Sequence, residues 1–206
     1  MGGQHKGHLG AVYSAGDAAE MAAAYDGWAE TYEAEMRQAG YRHPSVGLAL
    51  LTRHLPRGTG PLLDAGAGTG LVGEWLAILG YPEVEALDLS QGMLAVAARK
   101  RVYSRLTVAR LGDHLPYADA VFGGIISTGV FTTGHVGAAA LPELFRIVRP
   151  GGVIVLTVKM TLWDAEIAAW LDAKGVERLE TTAPYVSMPG EAATTPSLAT
   201  VLRVTG

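Results

Sequence analysis

From residue 61 onward, short apolar runs alternate with longer segments whose apolar positions recur every three to four residues. The runs at 62–64, 84–89, 106–111, 121–127 and 153–159 have the length and composition of buried strands. The segments at 71–79, 90–101, 138–148 and 162–174 have helical periodicity. Gly80-Tyr81-Pro82, Asp113-His114-Leu115-Pro116 and Arg149-Pro150-Gly151-Gly152 punctuate the pattern with strong turn signals. Strands that alternate with helices predict a parallel sheet wound right-handedly, with helices on both faces. The last thirty residues break the rule. Runs at 176–187 and 198–204, joined by a Pro-, Gly- and Thr-rich loop at 188–197, predict an antiparallel edge hairpin.

Before residue 61 the pattern is helical throughout. Asp17 is placed to cap a helix over 17–36 that Gly40 ends, and a second helix spans 44–54 before a polar turn at 56–61. Tyr25, Trp28 and Tyr32, three and four positions apart, share one helix face, either packed on the core or set as a lid over a ligand. Residues 1–16 lack apolar periodicity and are expected to form a flexible tail. The expected organisation is one domain over 17–206, made of a helical cap (17–56) and an α/β core (61–206), with no internal repeat.

Composition narrows the chemistry. The 206 residues are 49% hydrophobic and 17% charged, enough apolar material for a large core. A net charge of −4 gives no electrostatic reason to expect a nucleic-acid partner. The absence of cysteine removes thiolate catalysis, disulfides and Cys-based zinc sites. His5 and His8, near the start, lack the further ligands a metal would need, so no metal site is expected. No stretch approaches a membrane span and the first residues lack the apolar core of a signal peptide, so a cytoplasmic protein without a membrane partner is expected. Oligomeric state is not legible.

In open α/β sheets the ligand lies outside the carboxyl ends of the strands, so the residues just after each run carry the chemistry. The first run leads into Asp64-Ala65-Gly66-Ala67-Gly68-Thr69-Gly70. These glycines suit a tight turn that lets a ligand lie against backbone, and the following helix offers unpaired N–H groups. The dinucleotide fingerprint G-x-G-x-x-G fails here because its third glycine falls on Leu71. The second run ends in Asp88-Leu89-Ser90, an acid at the position that accepts two vicinal ribose hydroxyls; Ser90 already serves as the helix cap that Asp88 would otherwise be. The third ends in Gly112-Asp113-His114, where Asp113 can accept from an adenine amino group while Leu89 and Met93 pack on the ring.

Taken together, Asp64-x-Gly66-x-Gly68-x-Gly70, Asp88-x-Ser90-x-x-Met93, Gly112-Asp113 and Arg149-Pro150-Gly151-Gly152 resemble, in order, the motifs of class I S-adenosylmethionine-dependent methyltransferases. The resemblance implies a Rossmann-like doubly wound sheet of seven strands in order 3-2-1-4-5-7-6, the last antiparallel. It also implies S-adenosylmethionine bound along the strand ends, S-adenosylhomocysteine as product, and Asp64, Ala65, Gly66, Gly68, Gly70, Asp88, Leu89, Met93, Asp113, His114 and Ser127 around the cofactor. Tyr25, Trp28 and Tyr32 would cap it, with Phe131, Trp163, Trp170 and Tyr185 as further aromatic candidates. A narrower likeness, carried by Tyr25-Asp26-x-Trp28-Ala29-x-x-Tyr32, Gly134-His135-Val136 and Leu141-Pro142-Glu143-Leu144, is to the Williams–Beuren-region methyltransferase-like group.

The acceptor is read mainly from what is missing. The Asn/Asp-Pro-Pro-aromatic motif of exocyclic-amine methylation is replaced by Ser127-Thr128-Gly129-Val130, and the chain contains no Asn to complete a catechol-type metal site. A metal-independent transferase acting on a small molecule at O, N or C fits best, with His135 as the candidate general base. The alternatives are a related fold with different chemistry, a protein that binds the cofactor or its product without turnover, and a nicotinamide-dependent dehydrogenase, against which Leu71 argues.

Overall fold

In a computed structural model, which describes residues 7–132, 136–191 and 194–205, the seven predicted strands form one sheet. They are β1 (Leu62–Ala65), β2 (Val84–Asp88), β3 (Arg105–Val108), β4 (Phe122–Phe131), β5 (Val148–Lys159), β6 (Glu177–Thr181) and β7 (Ser197–Arg203), in the order 3-2-1-4-5-7-6. The first five run parallel; β7 is antiparallel to both β5 and β6. Period-two alternation sorts each strand between two cores. Leu63, Ile125 and Ile154 face one side, where α7 (Leu141–Ile147) and α9 (Ala168–Ala173) pack. Leu62, Ile126 and Val155 face the other, against α4 (His43–His54) and α5 (Leu71–Ile78). Helix α4 approaches the sheet so closely that a Cβ on Gly47 would lie 2.6 Å from the Thr128 side chain.

Element boundaries differ from expectation where turns and edges intervene. The strand expected over 153–159 starts at Val148, but Val148 pairs with Phe122 and Val153 with Gly124, so the Arg149-Pro150-Gly151-Gly152 turn is looped out between them. The strand expected over 176–187 stops at Thr181, and Pro184, with no N–H to donate, precedes a single bridge between Tyr185 and Ser197. The third strand is shorter than 106–111. The helix expected over 138–148 opens as a 3₁₀ turn (Ala138–Ala140), and the one over 162–174 begins at α8 (Met160–Leu162) and passes through a π-helical stretch (Trp163–Ile167). No helix among the described residues is long and apolar enough to cross a membrane.

The helical cap is where expectation and structure differ most. The helix expected over 17–36 is two, α2 (Ala18–Trp28) and α3 (Tyr32–Ala39), joined by a tight turn in which Thr31 N–H donates to the Trp28 carbonyl. Asp17 caps α2 as expected, accepting from the N–H groups of Ala19 and Glu20, and Gly40 ends α3 in a left-handed conformation. Within the stretch expected as a tail, Gly7–Ser14 forms α1. Leu9 and Val12, three apart and so on one face, pack into a third cluster with Trp28, Met36, Met93 and Met188. That cluster fixes the cap to α6 (Gln91–Lys100). Asp26 adds a polar clasp, accepting from Ser90 Oγ at 2.5 Å and Gly92 N at 2.7 Å.

Candidate functional site

A cavity of about 220 Å³ opens at the carboxyl ends of β1, β2 and β4, beneath the cap. The β1–α5 turn forms its floor. Gly66 and Ala67 both donate to the Leu87 carbonyl, at 2.7 and 3.0 Å, which ties the turn to β2. Gly66 and Gly68 have φ of 80° and 54°, a conformation that costs side-chain-bearing residues energy. Beyond its chain neighbours, no atom of the described residues lies within 4 Å of where a Gly68 Cβ would project.

Asp88, at the end of β2, faces the same cavity. Its Oδ2 accepts from Gly68 N at 2.8 Å and its Oδ1 from Ser90 N at 2.9 Å. A carboxylate offers about four acceptor sites, so each oxygen keeps capacity for a ligand hydroxyl. Burial raises the Asp88 pKa, its backbone hydrogen bonds oppose that rise, and the Asp26 charge adds to it. Leu89, Met93 and Leu111 supply apolar wall beside Asp88. Thr128, Gly129 and Val130, in the last part of β4, supply a further wall, and Gly129 N donates to Thr157 Oγ1 at 2.8 Å.

The cap closes the opposite side with Tyr25, Tyr32 and Tyr41. Tyr25 stacks on Trp28 at 6.2 Å, and Trp28 meets the Tyr32 edge at 4.9 Å. Burial raises the pKa of all three tyrosines, that of Tyr32 to about 12, so each is a neutral phenol near pH 7.

Of the residues expected at the cofactor, Gly66, Gly68, Asp88, Leu89, Met93, Tyr25 and Tyr32 line this cavity. Six others do not. Asp64 is 1% exposed and lies behind the turn, bonded to the Tyr103 hydroxyl. Ala65 is buried, and its carbonyl accepts from Ser127 Oγ at 2.7 Å, so both residues brace β1 against β4. Gly70 starts α5 and packs against Tyr103 and Ala97. Asp113 and His114 point outward. Asp113 pairs with Arg110 at 3.4 Å, and His114 with Glu143, which anchors that loop by accepting from Leu115 N. Trp28 lines a smaller, adjoining cavity instead. Of the further aromatic candidates, Phe131 is a core residue, Trp163 and Trp170 pack on the same core, and Tyr185 bonds His43. His135, the candidate base, and His5 lie outside the described residues.

Sequence reasoning missed Gly16, Met21, Tyr41, Arg110 and Leu111 as cavity walls, and took Asp17 only as a helix cap. The signal for Arg110 and Leu111 was present, since they precede the Gly112-Asp113 turn at the end of β3. The cap residues had none, because their position depends on how three short helices fold back.

The arrangement fits an adenosyl cofactor. It offers a half-buried carboxylate with spare acceptor sites, an apolar slot beside it, and a backbone floor left open by glycine. Comparison with known proteins agrees. Residues 63–156 match the family described as methyltransferase domain. Human methyltransferase-like protein 27 is 32% identical over 176 residues, covering 82% of this chain and 70% of that protein. Malonyl-[acyl-carrier protein] O-methyltransferase of Yersinia pestis is 32% identical over 145 residues, covering 68% of this chain and 51% of that protein. Among solved structures, a TehB-like SAM-dependent methyltransferase from Corynebacterium glutamicum superposes with a TM-score of 0.65 at 22% identity, covering 89% of this chain and 99% of that one. This last likeness concerns the fold alone.

Proposed function

The chain belongs to the class I S-adenosylmethionine-dependent methyltransferases, and from that premise we propose that it methylates a small molecule at oxygen, nitrogen or carbon without a metal ion. The observation that carries the reading is the cap. Tyr25, Tyr32 and Tyr41 fold over the strand ends and wall a partly open cavity of about 220 Å³, a size suited to a small acceptor. Among the described residues no group of three or more His, Asp or Glu side chains is disposed to hold a metal.

In this reading Asp88 holds the ribose hydroxyls, Leu89, Met93 and Leu111 flank the adenine, and the backbone at Gly66, Gly68 and Thr128–Val130 borders the methionine half. When bound, S-adenosylmethionine supplies a methyl group made electrophilic by its sulfonium. The tyrosine wall excludes water and restricts the acceptor's orientation, two effects that contribute much of the acceleration in such transfers. His135 remains the proposed general base for an acceptor that must lose a proton. The narrower methyltransferase-like grouping is proposed on the Tyr25-Asp26-x-Trp28 stretch and on the human relative's coverage.

The test is transfer of tritiated methyl from S-adenosylmethionine into a cell extract separated by size. Label in the low-molecular-weight fraction is expected, undiminished by chelator. Label retained on protein or nucleic acid would overturn the small-molecule reading.

A further inference from the structure

Tyr25, Tyr32, Tyr41 and Gly129 line not only the cofactor-sized cavity but also a second, smaller one of about 40 Å³ that adjoins it on the cap side. Leu9, Trp28, Met36 and Met188 supply apolar walls of this inner chamber. Beside the hydroxyl-bearing Tyr13 and Thr132, three further polar side chains reach it: Lys159, Ser187 and His43. Lys159, the last residue of β5, is 6% exposed, and no acidic side chain pairs with it among the described residues. Its ammonium lies 4.8 Å from the Tyr13 ring centroid, an attraction that offsets part of the lost hydration but does not neutralise the charge. Ser187 is fully buried, and its hydroxyl has no hydrogen-bond partner among the described residues. His43, 4% exposed, bonds Tyr185 through Nδ1 at 2.7 Å. Burial, reinforced by the Lys159 charge, holds the His43 pKa down at about 3, so its imidazole is neutral.

A buried cation without a counterion and a buried hydroxyl without an acceptor are each destabilising, and here they line the same small space. One ligand group satisfies both: an anion small enough for the chamber. The charge balance selects among anions. A single ammonium beside a neutral imidazole matches a monoanion, whereas a phosphate dianion would leave uncompensated charge in an apolar cage.

We propose that the inner chamber binds a carboxylate of the methyl acceptor, paired with Lys159 and hydrogen-bonded by Ser187, so that the substrate is a small organic acid. The inference rests on the small-molecule reading above and adds its substrate class. The remainder of the acid extends past the shared tyrosine wall, toward the larger cavity where the cofactor binds.

The test compares benzoate and 3-phenylpropanoate with their neutral amides, by calorimetric titration of the full chain saturated with S-adenosylhomocysteine. The acids are expected to bind and the amides to bind at least tenfold more weakly. Lys159→Met, which replaces the cation with an apolar chain of similar shape, is expected to lose the acids at least tenfold. It should keep its affinity for S-adenosylhomocysteine and melt no lower than the parent. Ser187→Ala should lose less. If neither acid outbinds its amide, or if Lys159→Met binds the acids as the parent does, the proposal fails. Tritium transfer separates this failure from that of the underlying reading: label confined to the neutral and basic metabolites of a size-separated extract refutes only the carboxylate, whereas label confined to macromolecules refutes the small-molecule acceptor.

Discussion

The Tyr103 hydroxyl donates to Asp64 Oδ2 at 2.6 Å and accepts the Gly73 N–H at 3.2 Å, so it braces the end of β1 against the first turn of α5 from behind the glycine turn. Asp64 is therefore a support of the turn rather than a wall of the cavity. Burial raises its pKa from 3.8 to about 7, with the Tyr103 hydrogen bond opposing the rise and the Asp88 charge adding to it. A carboxyl group with a raised folded-state pKa stabilises the fold fully below its unfolded value. It loses that contribution as pH climbs through the folded value. For Asp64 the window runs from about pH 4 to about pH 7. Asp64→Asn keeps an acceptor for Tyr103 but cannot ionise. The difference in unfolding free energy between parent and variant should shift in the variant's favour across that window, by an amount on the order of a few kcal/mol. Denaturant melts at pH 5 and pH 8 measure it, and parallel pH profiles would refute the assignment.

Asp88 sits in the opposite situation, on the cavity side of the same turn. Asp88→Ala removes the proposed ribose acceptor together with the bonds to Gly68 N and Ser90 N. The expected result is at least a tenfold rise in the dissociation constant of S-adenosylhomocysteine, about 1.4 kcal/mol, with the domain still folded because α6 keeps its Ser90 cap. Calorimetry with a parallel circular-dichroism spectrum decides it. Unchanged affinity in a folded variant would remove Asp88 from the ribose site.

These two acids show how far the sequence could be read. Both stand at the ends of apolar runs, and the parallel core and the terminal hairpin follow from those runs because a doubly buried strand must be apolar along its length, whereas the strand order comes from the family resemblance. Orientation is another matter. Asp64 and Asp88 differ in role because Tyr103, an unremarkable residue between α6 and β3, occupies the space behind one of them. The cap was the least legible part. The helix α1 consists of Gly7–Ser14, with a poor intrinsic propensity, and exists through packing of Leu9 and Val12 on Trp28 and Met36, contacts that only the folded chain defines.

Asp113 tests a departure from the family pattern. Its side chain is exposed and paired with Arg110, off the cavity wall to which Arg110 and Leu111 contribute. Asp113→Ala should leave S-adenosylhomocysteine affinity within about twofold and stability within about 0.5 kcal/mol, as for other exposed pairs. A tenfold loss of affinity would show that Asp113 turns inward to meet the adenine.

Gly66 and Gly68 separate folding from binding within one turn. Both have positive φ, so alanine costs each of them about 1–2 kcal/mol in backbone strain. At Gly66 the added methyl would also fall inside van der Waals contact with the Val130 side chain, adding roughly 1–3 kcal/mol of overpacking. At Gly68 it meets no atom of the described residues within 4 Å beyond its chain neighbours, and it projects from a residue that lines the cavity. Gly66→Ala should therefore lower the melting temperature more than Gly68→Ala does. Gly68→Ala should stay folded yet lose S-adenosylhomocysteine affinity at least tenfold, because its methyl takes space the ligand needs. Thermal melts paired with titrations of both variants measure the contrast. If Gly68→Ala binds as well as the parent, the ligand does not lie against this turn.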